Sequence, residues 1–133
     1  MHPQQKPIVL VIEDHEATRD NIADILRSDG YQLWLTATAD DALRLLKLDL
    51  RAPDVILLDL WLPGMHVDRF VSLVKDRATW ARAPIILTTA ADEADIPRTL
   101  PIDAILLKPF SIPQLLAVVE AAVTGRQAAD QRP

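Results

Sequence analysis

The sequence predicts an α/β fold in which a doubly wound, five-stranded parallel sheet carries helices on both faces. Short apolar runs, typical of strands buried on both sides, alternate with stretches whose apolar residues recur at helical spacing. The chain has 133 residues, which suits one compact domain and is too short for a closed βα barrel. An open sheet between two layers of helices is therefore the arrangement that we expect.

The predicted strands and helices follow one another along the chain. The strands are expected at 8–12, 31–38, 55–58, 85–87 and 104–107. Helices are expected at 15–29, which Gly30 ends, at 39–50, at 67–74, and after the N-cap candidate Ser111, with Pro113 in the first turn. Pro97 and Pro101 leave room for only a short or irregular fourth helix before the last strand.

The expected domain covers residues 7–124, with flexible termini at 1–6 and 125–133. The nine residues after Thr124 are too few for a further folded domain. For this class of sheet we expect the flavodoxin-like strand order 2-1-3-4-5, in which ligands bind outside the carboxyl ends of the strands where the order reverses. The candidate functional residues are therefore those that follow the strands.

The composition excludes several classes of function. The formal net charge is -5 and no block of Lys or Arg marks a nucleic-acid surface, so we expect no direct binding to nucleic acid. No apolar run approaches the length of a bilayer span and no signal-peptide segment precedes the first strand, so we expect a cytoplasmic protein without membrane insertion. Because the chain has no cysteine, a metal ion must be held by oxygen or histidine ligands.

Polar residues follow four of the predicted strands, all at the carboxyl edge of the sheet. They are Glu13-Asp14, Asp59, Thr88-Thr89 and Lys108. Three carboxylates repel one another unless a cation neutralises them, and an all-oxygen set suits Mg²⁺ or else Mn²⁺. A lysine and a threonine hydroxyl at the same place can bind a phosphoryl group. The pattern indicates phosphoryl transfer to a carboxylate.

Four segments, in order, resemble the response-regulator receiver family. They are Glu13-Asp14, the stretch PDVILLDLWLPG at 53–64, the stretch PIILTTA at 84–90, and Lys108-Pro109-Phe110. The resemblance covers nearly the whole expected domain, 7–124. It implies that Asp59 is the phosphoacceptor and that Thr89 and Lys108 contact the phosphoryl group. The implied Mg²⁺ ligands are Glu13, Asp14, Asp59 and the backbone carbonyl of Trp61.

The resemblance also implies partners. Members of the family take the phosphoryl group from a phosphohistidine on a sensor histidine kinase or a histidine phosphotransfer protein, as in a phosphorelay, and many use acetyl phosphate. The chain is then not a conventional enzyme but promotes its own Mg²⁺-dependent phosphorylation and slow dephosphorylation. The added charge, about -1.5 to -2 at neutral pH, would draw Thr89 and Lys108 inward. Signalling is expected through protein contacts with an unidentified target, and a homodimer is compatible with the family.

Several residues depart from the family pattern. Ile105 stands where many members have Tyr or Phe, so an aromatic relay cannot operate here. Trp61 lies two residues after the acceptor, where its bulk could shield an acyl phosphate from water. Glu13 stands in place of the commoner Asp and lengthens one ligand arm. His15 and His66 lie near the crevice but have no metal-ligand spacing, so neither is assigned a role.

Three alternatives stay open at this point. Asp14 could be the N-cap of the first helix rather than a metal ligand. The chain could be a degenerate receiver that binds partners without phosphorylation, although the acid, Thr and Lys set is intact. It could also be a haloacid-dehalogenase-like phosphatase with Asp14 as nucleophile, because residues 14–18 loosely resemble that family's Asp-x-Asp-x-Thr loop, although Glu16 replaces the second Asp.

Overall fold

Five strands form one parallel sheet. In the computed structural model, which describes residues 6–48, 51–97 and 99–130, the strands are β1 (Ile8–Ile12), β2 (Gln32–Thr36), β3 (Val55–Asp59), β4 (Ile85–Thr89) and β5 (Ala104–Leu107). Neighbours pair in parallel in the order β2-β1-β3-β4-β5. The predicted fold class and strand order are confirmed.

The helices cover both faces of the sheet. Those in the described residues are α1 (Glu16–Ser28), α2 (Ala39–Lys47), α3 (Val67–Asp76) and α4 (Ile112–Asp130). Apolar residues of α1 and α4 pack with Val9, Val11 and Leu57 on one face. Apolar residues of α2 and α3 pack with Leu10 and Ile56 on the other face. Two cores therefore hold the sheet from opposite sides.

Burial along the strands explains the apolar runs in the sequence. Every residue of β1, β3 and β4 is buried because these strands lie in the middle of the sheet with helices on both sides. The edge strands β2 and β5 are only partly buried. The three central strands therefore end in buried positions, which is where the candidate acids and threonines follow.

Local signals set several helix ends. The Ser111 hydroxyl accepts a hydrogen bond from the Gln114 N–H at 3.2 Å, and the Gln114 side chain accepts one from the Ser111 N–H at 2.8 Å. This reciprocal capping box starts α4 as predicted. Gly30, with φ +94°, follows α1 in a conformation that other residues rarely adopt. The Thr38 hydroxyl accepts from the Asp41 N–H at the start of α2.

The fourth helix is reduced to one 3₁₀ turn, Glu93–Asp95. The short or irregular helix expected between Pro97, Pro101 and the preceding strand is therefore confirmed. Leu100 and Ile96 of this segment are buried against the sheet. Ile105 and Leu107 of the edge strand β5 remain 38% and 43% exposed. In the described residues, the segment before β5 has one 3₁₀ turn in place of a full helix that could cover them.

The last helix is longer than expected. It continues to Asp130, whereas residues after Thr124 were expected to be flexible. A single glycine such as Gly125 costs a helix only about 1 kcal/mol, and the Arg126 guanidinium donates a hydrogen bond to the Pro53 carbonyl. The limits 7–124 stay a prediction, and residues 1–5 and 131–133 of the expected termini lie outside the described residues. Among the helices described, none is long and apolar enough to cross a membrane.

Candidate functional site

The strand ends bring the predicted site residues to one edge of the sheet. Glu13 directly follows β1, Asp59 is the last residue of β3, Thr89 is the last of β4, and Lys108 directly follows β5. The Lys108-Pro109 peptide bond is cis. Since β1, β3, β4 and β5 are neighbours in the sheet, residues far apart in the sequence meet here.

Lys108 lies between two buried carboxylates. Its Nζ is 2.6 Å from Oε1 of Glu13 and 3.6 Å from Oδ2 of Asp59. The side chains of Glu13 and Asp59 are 2% and 7% exposed, and that of Lys108 is 22% exposed. One cation therefore serves two carboxylates that are largely removed from water.

The pKa values of the two buried carboxyl groups shift in opposite directions. Burial, and then the hydrogen bond with Glu13, raise the pKa of Asp59 from its ordinary 3.8 to about 6, although the Trp61 N–H, 3.1 Å from Oδ1, acts against the rise. Burial alone would raise the pKa of Glu13 as well. The hydrogen bonds with Lys108, Asp59 and the His15 N–H outweigh burial, and the pKa of Glu13 is therefore lower than its ordinary value. A proton held by the pair therefore resides on Asp59.

The chemistry of this donor set fits a divalent cation. The carboxylates supply hard oxygen atoms, and Lys108 alone leaves them short of one positive charge. Asp14 adds a more exposed carboxylate, 33% exposed. The N-cap of α1 is His15 and not Asp14, so the capping alternative for Asp14 is not what the structure shows. One ligand atom each from Glu13, Asp14 and His15 lies within 4.8 Å of the others.

The backbone of Trp61 is held against the acceptor candidate through its N–H bond to Asp59. Its side chain is 65% exposed and lines a pocket with Met65 and Pro97. The ring therefore stands at the start of the turn that leads to α3, two residues after Asp59.

The two threonines of β4 have different neighbours. Thr88 is the register partner of Asp59, and its carbonyl accepts from the Leu60 N–H. The Thr89 hydroxyl accepts a hydrogen bond from the Ala91 N–H at 2.9 Å, and its carbonyl accepts from the Lys108 N–H at 2.7 Å. Thr89 is thus tied to the turn after β4 and to the end of β5.

Sequence reasoning missed two contributors to the site. The Arg19 guanidinium, from α1, donates to the Glu13 backbone carbonyl at 2.9 Å and so holds the turn that carries the acids. The imidazole of His15 lies beside the carboxylates of Asp14 and Glu13. Neither residue has a spacing that marks it in the sequence, because both contacts depend on how the turn after β1 folds back.

Comparison with known proteins adds the family. A family model for the response regulator receiver domain matches residues 9–120. The sensory transduction protein RegX3 of Mycobacterium tuberculosis is 33% identical over 118 residues, which covers 86% of this chain and 50% of that protein. The phosphate regulon transcriptional regulatory protein PhoB of Rhizobium meliloti is also 33% identical over 118 residues, covering 86% and 51%. The chain thus spans about half the length of these curated relatives.

A solved structure agrees with this family. The receiver domain of a signal transduction histidine kinase from Syntrophus aciditrophicus is 28% identical and has a TM-score of 0.79, covering 90% of this chain and 91% of that one. The family match includes the strand ends that carry Glu13, Asp59, Thr89 and Lys108. This chain belongs to the response regulator receiver domain family of two-component signal transduction.

Proposed function

We propose that this receiver domain accepts a phosphoryl group on Asp59 from a phosphohistidine of a sensor histidine kinase or histidine phosphotransfer protein. The modification then changes the surface that a downstream protein binds. The observation that carries the proposal is the buried Asp59 carboxylate with the Lys108 ammonium 3.6 Å away, at the end of β3. A buried carboxylate beside a lysine, with its pKa raised, is typical of a reactive group rather than a stabilising one.

The reaction needs little from the protein beyond positioning and charge. An oxygen of the ionised Asp59 attacks phosphorus, the phosphorus–nitrogen bond of the donor breaks, and the imidazole leaves with the electron pair. With a pKa of about 6, Asp59 is mostly ionised at neutral pH and can attack. The Lys108 ammonium can weaken its ion pair with Glu13 and bind the phosphoryl oxygens as negative charge develops on them.

The site would hold Mg²⁺ through Glu13, Asp14, Asp59 and the backbone carbonyl of Trp61. When bound, the ion neutralises carboxylate and phosphoryl charge together. The fit rests on the oxygen donor set and on the raised pKa of Asp59, which a nearby cation would lower. Mn²⁺ satisfies the same donors.

Thr89 would complete phosphoryl binding. Its hydroxyl accepts from the Ala91 N–H, and its own hydrogen is available to donate to a phosphoryl oxygen. A shift of the turn after β4 toward the phosphoryl group would carry Thr89 with it. Such a shift would also act on β5 through the bond between the Thr89 carbonyl and the Lys108 N–H. A local charge change could reach the exposed β5 edge in this way.

Phosphorylation is tested directly by intact mass. The chain is incubated with acetyl phosphate and Mg²⁺, alongside Asp59→Asn and an EDTA control. One phosphoryl adduct per chain is expected, dependent on Mg²⁺ and absent from Asp59→Asn. Locating the adduct by peptide mapping separates the phosphatase interpretation, in which Asp14 rather than Asp59 would carry the group.

A second donor guards against a false negative. If acetyl phosphate gives no adduct, a phosphorylated histidine phosphotransfer domain is tried under the same conditions. An adduct from that donor supports the proposal. Failure with both donors, by a chain that still folds, would overturn it and favour a receiver that binds its partners without phosphorylation.

A further inference from the structure

We propose that His15 supplies a nitrogen ligand to the divalent-cation site, so that the site prefers a transition ion such as Co²⁺ to Mg²⁺. The inference rests on the proposed function, because it concerns the same acidic site. His15 would thereby contribute to metal selectivity.

The imidazole is already close to the carboxylates. Nδ1 of His15 is 3.6 Å from Oδ1 of Asp14 and 3.9 Å from Oε2 of Glu13. Two adjacent ligands of a first-row metal ion, each bonded at about 2.0–2.2 Å, are about 3 Å apart. The imidazole nitrogen therefore needs to approach each carboxylate oxygen by less than about 1 Å to share one ion with it, which small side-chain rotations provide.

Glu13 can take part without giving up its other contacts. Its Oε1 faces Lys108, whereas its Oε2 accepts from the His15 N–H at 3.2 Å and faces the ring. The extra methylene of glutamate, compared with aspartate, lets the carboxylate span both sides. Glu13 thereby joins the His15 side of the site to the Asp59 side.

The ring of His15 is free to bind. His15 occupies the N-cap of α1, but its side chain makes no capping hydrogen bond. The side chain is 79% exposed, so turning it toward an ion disrupts no packing. Its backbone position is set at the start of α1, directly after Asp14.

A nitrogen ligand changes which ion is favoured. Mg²⁺ prefers oxygen ligands and gives up water reluctantly, whereas imidazole suits transition ions, with affinity rising from Mn²⁺ to Co²⁺. Affinity rises from Mn²⁺ to Co²⁺ at oxygen sites too, and a nitrogen ligand increases the preference for Co²⁺ over Mg²⁺. With His15 as a ligand, Co²⁺ should bind much more tightly than Mg²⁺.

The test detects nitrogen at the metal directly. The whole chain is loaded with Mn²⁺ and examined by electron spin echo envelope modulation, which detects ¹⁴N coupled to the ion. The variants are His15→Gln and, as a matched control, His66→Gln, since His66 is the exposed N-cap of α3 and also makes no capping bond. Calorimetry measures the affinities of Co²⁺ and Mg²⁺ for all three proteins.

The expected result is ¹⁴N modulation in the native chain and in His66→Gln but not in His15→Gln. The ratio of Co²⁺ to Mg²⁺ affinity should fall at least ~10-fold in His15→Gln, given what ligand-shell changes typically do. Circular dichroism confirms that the exposed substitution leaves the fold intact.

Two outcomes overturn the proposal, and they are distinguishable. Mn²⁺ that binds without ¹⁴N modulation, or modulation that survives in His15→Gln, excludes His15 while leaving the cation site intact. Absence of any Mn²⁺ binding would remove the cation site itself, and with it the metal-dependent part of the proposed function. Phosphoryl adduct formation, measured separately, shows whether the acceptor role of Asp59 fails too.

Discussion

Acidic residues stand at both edges of the sheet, and the two edges use them differently. At the amino edge, Oδ2 of Asp54 accepts from the Ile8 N–H at 2.7 Å, and Oδ2 of Asp103 accepts from the Ile85 N–H at 2.8 Å. At the carboxyl edge, Glu13 and Asp59 are buried next to each other and share Lys108. The first pair accepts from the backbone N–H groups that begin strands. The second pair accepts from the N–H groups of His15 and Trp61 and also shares one cation.

The direction of the strands explains the difference. The first residues of β1 and β4 present backbone N–H groups that attract a carboxylate, so an acid there stabilises the strand start. Strand ends present carbonyl oxygens, and a carboxylate there adds negative charge to negative charge. Acids at the amino edge therefore contribute to folding, whereas ionised Asp59 at the carboxyl edge costs stability and is available for a cation or a phosphoryl group.

The largest effect should come from removing the cation at the carboxyl edge. Lys108→Met is expected to slow phosphorylation by acetyl phosphate about 10²–10³-fold, since charge stabilisation at a developing oxyanion has that size. The time course of adduct formation by intact mass measures it. Lys75→Met, which loses only a hydrogen bond to the Ala81 carbonyl, is the control and should react at the native rate. Equal rates in both variants would contradict a role for Lys108.

The next effect is a change in the free energy of unfolding, which should have opposite signs for acid substitutions at the two edges. Because the pKa of Asp59 is raised from 3.8 to about 6, the native state binds a proton more tightly than the unfolded state between those pH values. Without metal, the contribution of Asp59 to the free energy of unfolding should therefore fall as pH rises from about 4 to about 6, by up to ~3 kcal/mol. Asp59→Asn does not titrate, so its stability relative to the native chain should be similar at pH 4 and higher at pH 8.

Urea unfolding in EDTA at several pH values measures this difference. The matched variant at the other edge is Asp54→Ala, which leaves the Ile8 N–H unpaired and breaks the 3.2 Å ion pair with Arg51. It should lower the free energy of unfolding by about 1–3 kcal/mol at pH 8. If Asp59→Asn also destabilises at pH 8, the carboxyl-edge acid is stabilising and the contrast between the edges is wrong.

A smaller effect should distinguish the two threonines of β4. Thr89→Val removes a hydroxyl that we expect to bind the phosphoryl group, and loss of one neutral hydrogen bond corresponds to about a tenfold slower reaction. Thr88→Val keeps Thr89 and removes the hydroxyl nearest Asp59 in the strand register. Adduct formation rates compare them. A larger loss in Thr88→Val would assign the role to Thr88.

The smallest effect concerns the lifetime of the phosphoryl group. Trp61, two residues after the acceptor and 65% exposed, is expected to hinder water from reaching the acyl phosphate. In Trp61→Ala the adduct should therefore decay several-fold faster after the donor is removed. Met65→Ala, which alters the same pocket farther along the turn, should decay at the native rate. An unchanged lifetime in Trp61→Ala would exclude shielding by this ring.

Much of the carboxyl edge was predictable because strand burial is visible in the sequence. A strand covered on both faces needs an unbroken apolar run, so β1, β3 and β4 and the polar residues after them stand out. The edge strand β2 was predicted too long, at 31–38 rather than Gln32–Thr36. The ends of β2 are harder to recognise in the sequence because this edge strand is only partly buried and does not need an unbroken apolar run.

The amino edge was not predictable in the same way. Asp54 and Asp103 precede strands in turns where acids are common, and nothing in their spacing shows that each accepts a backbone N–H of a neighbouring strand. That contact depends on the strand order, which places Asp54 beside β1 and Asp103 beside β4.

The sequence by itself determined the alternation of strands and helices, the shortened fourth helix, and the residue types that stand at each strand end. These depend on periodicity, proline and local capping, which act over a few residues. Only the tertiary structure decided that Lys108 pairs with Glu13, 95 residues away, that Asp59 is the carboxyl group that keeps the proton, and that His15 faces the acids. Those properties depend on burial and on distances between strands, and no local pattern encodes them.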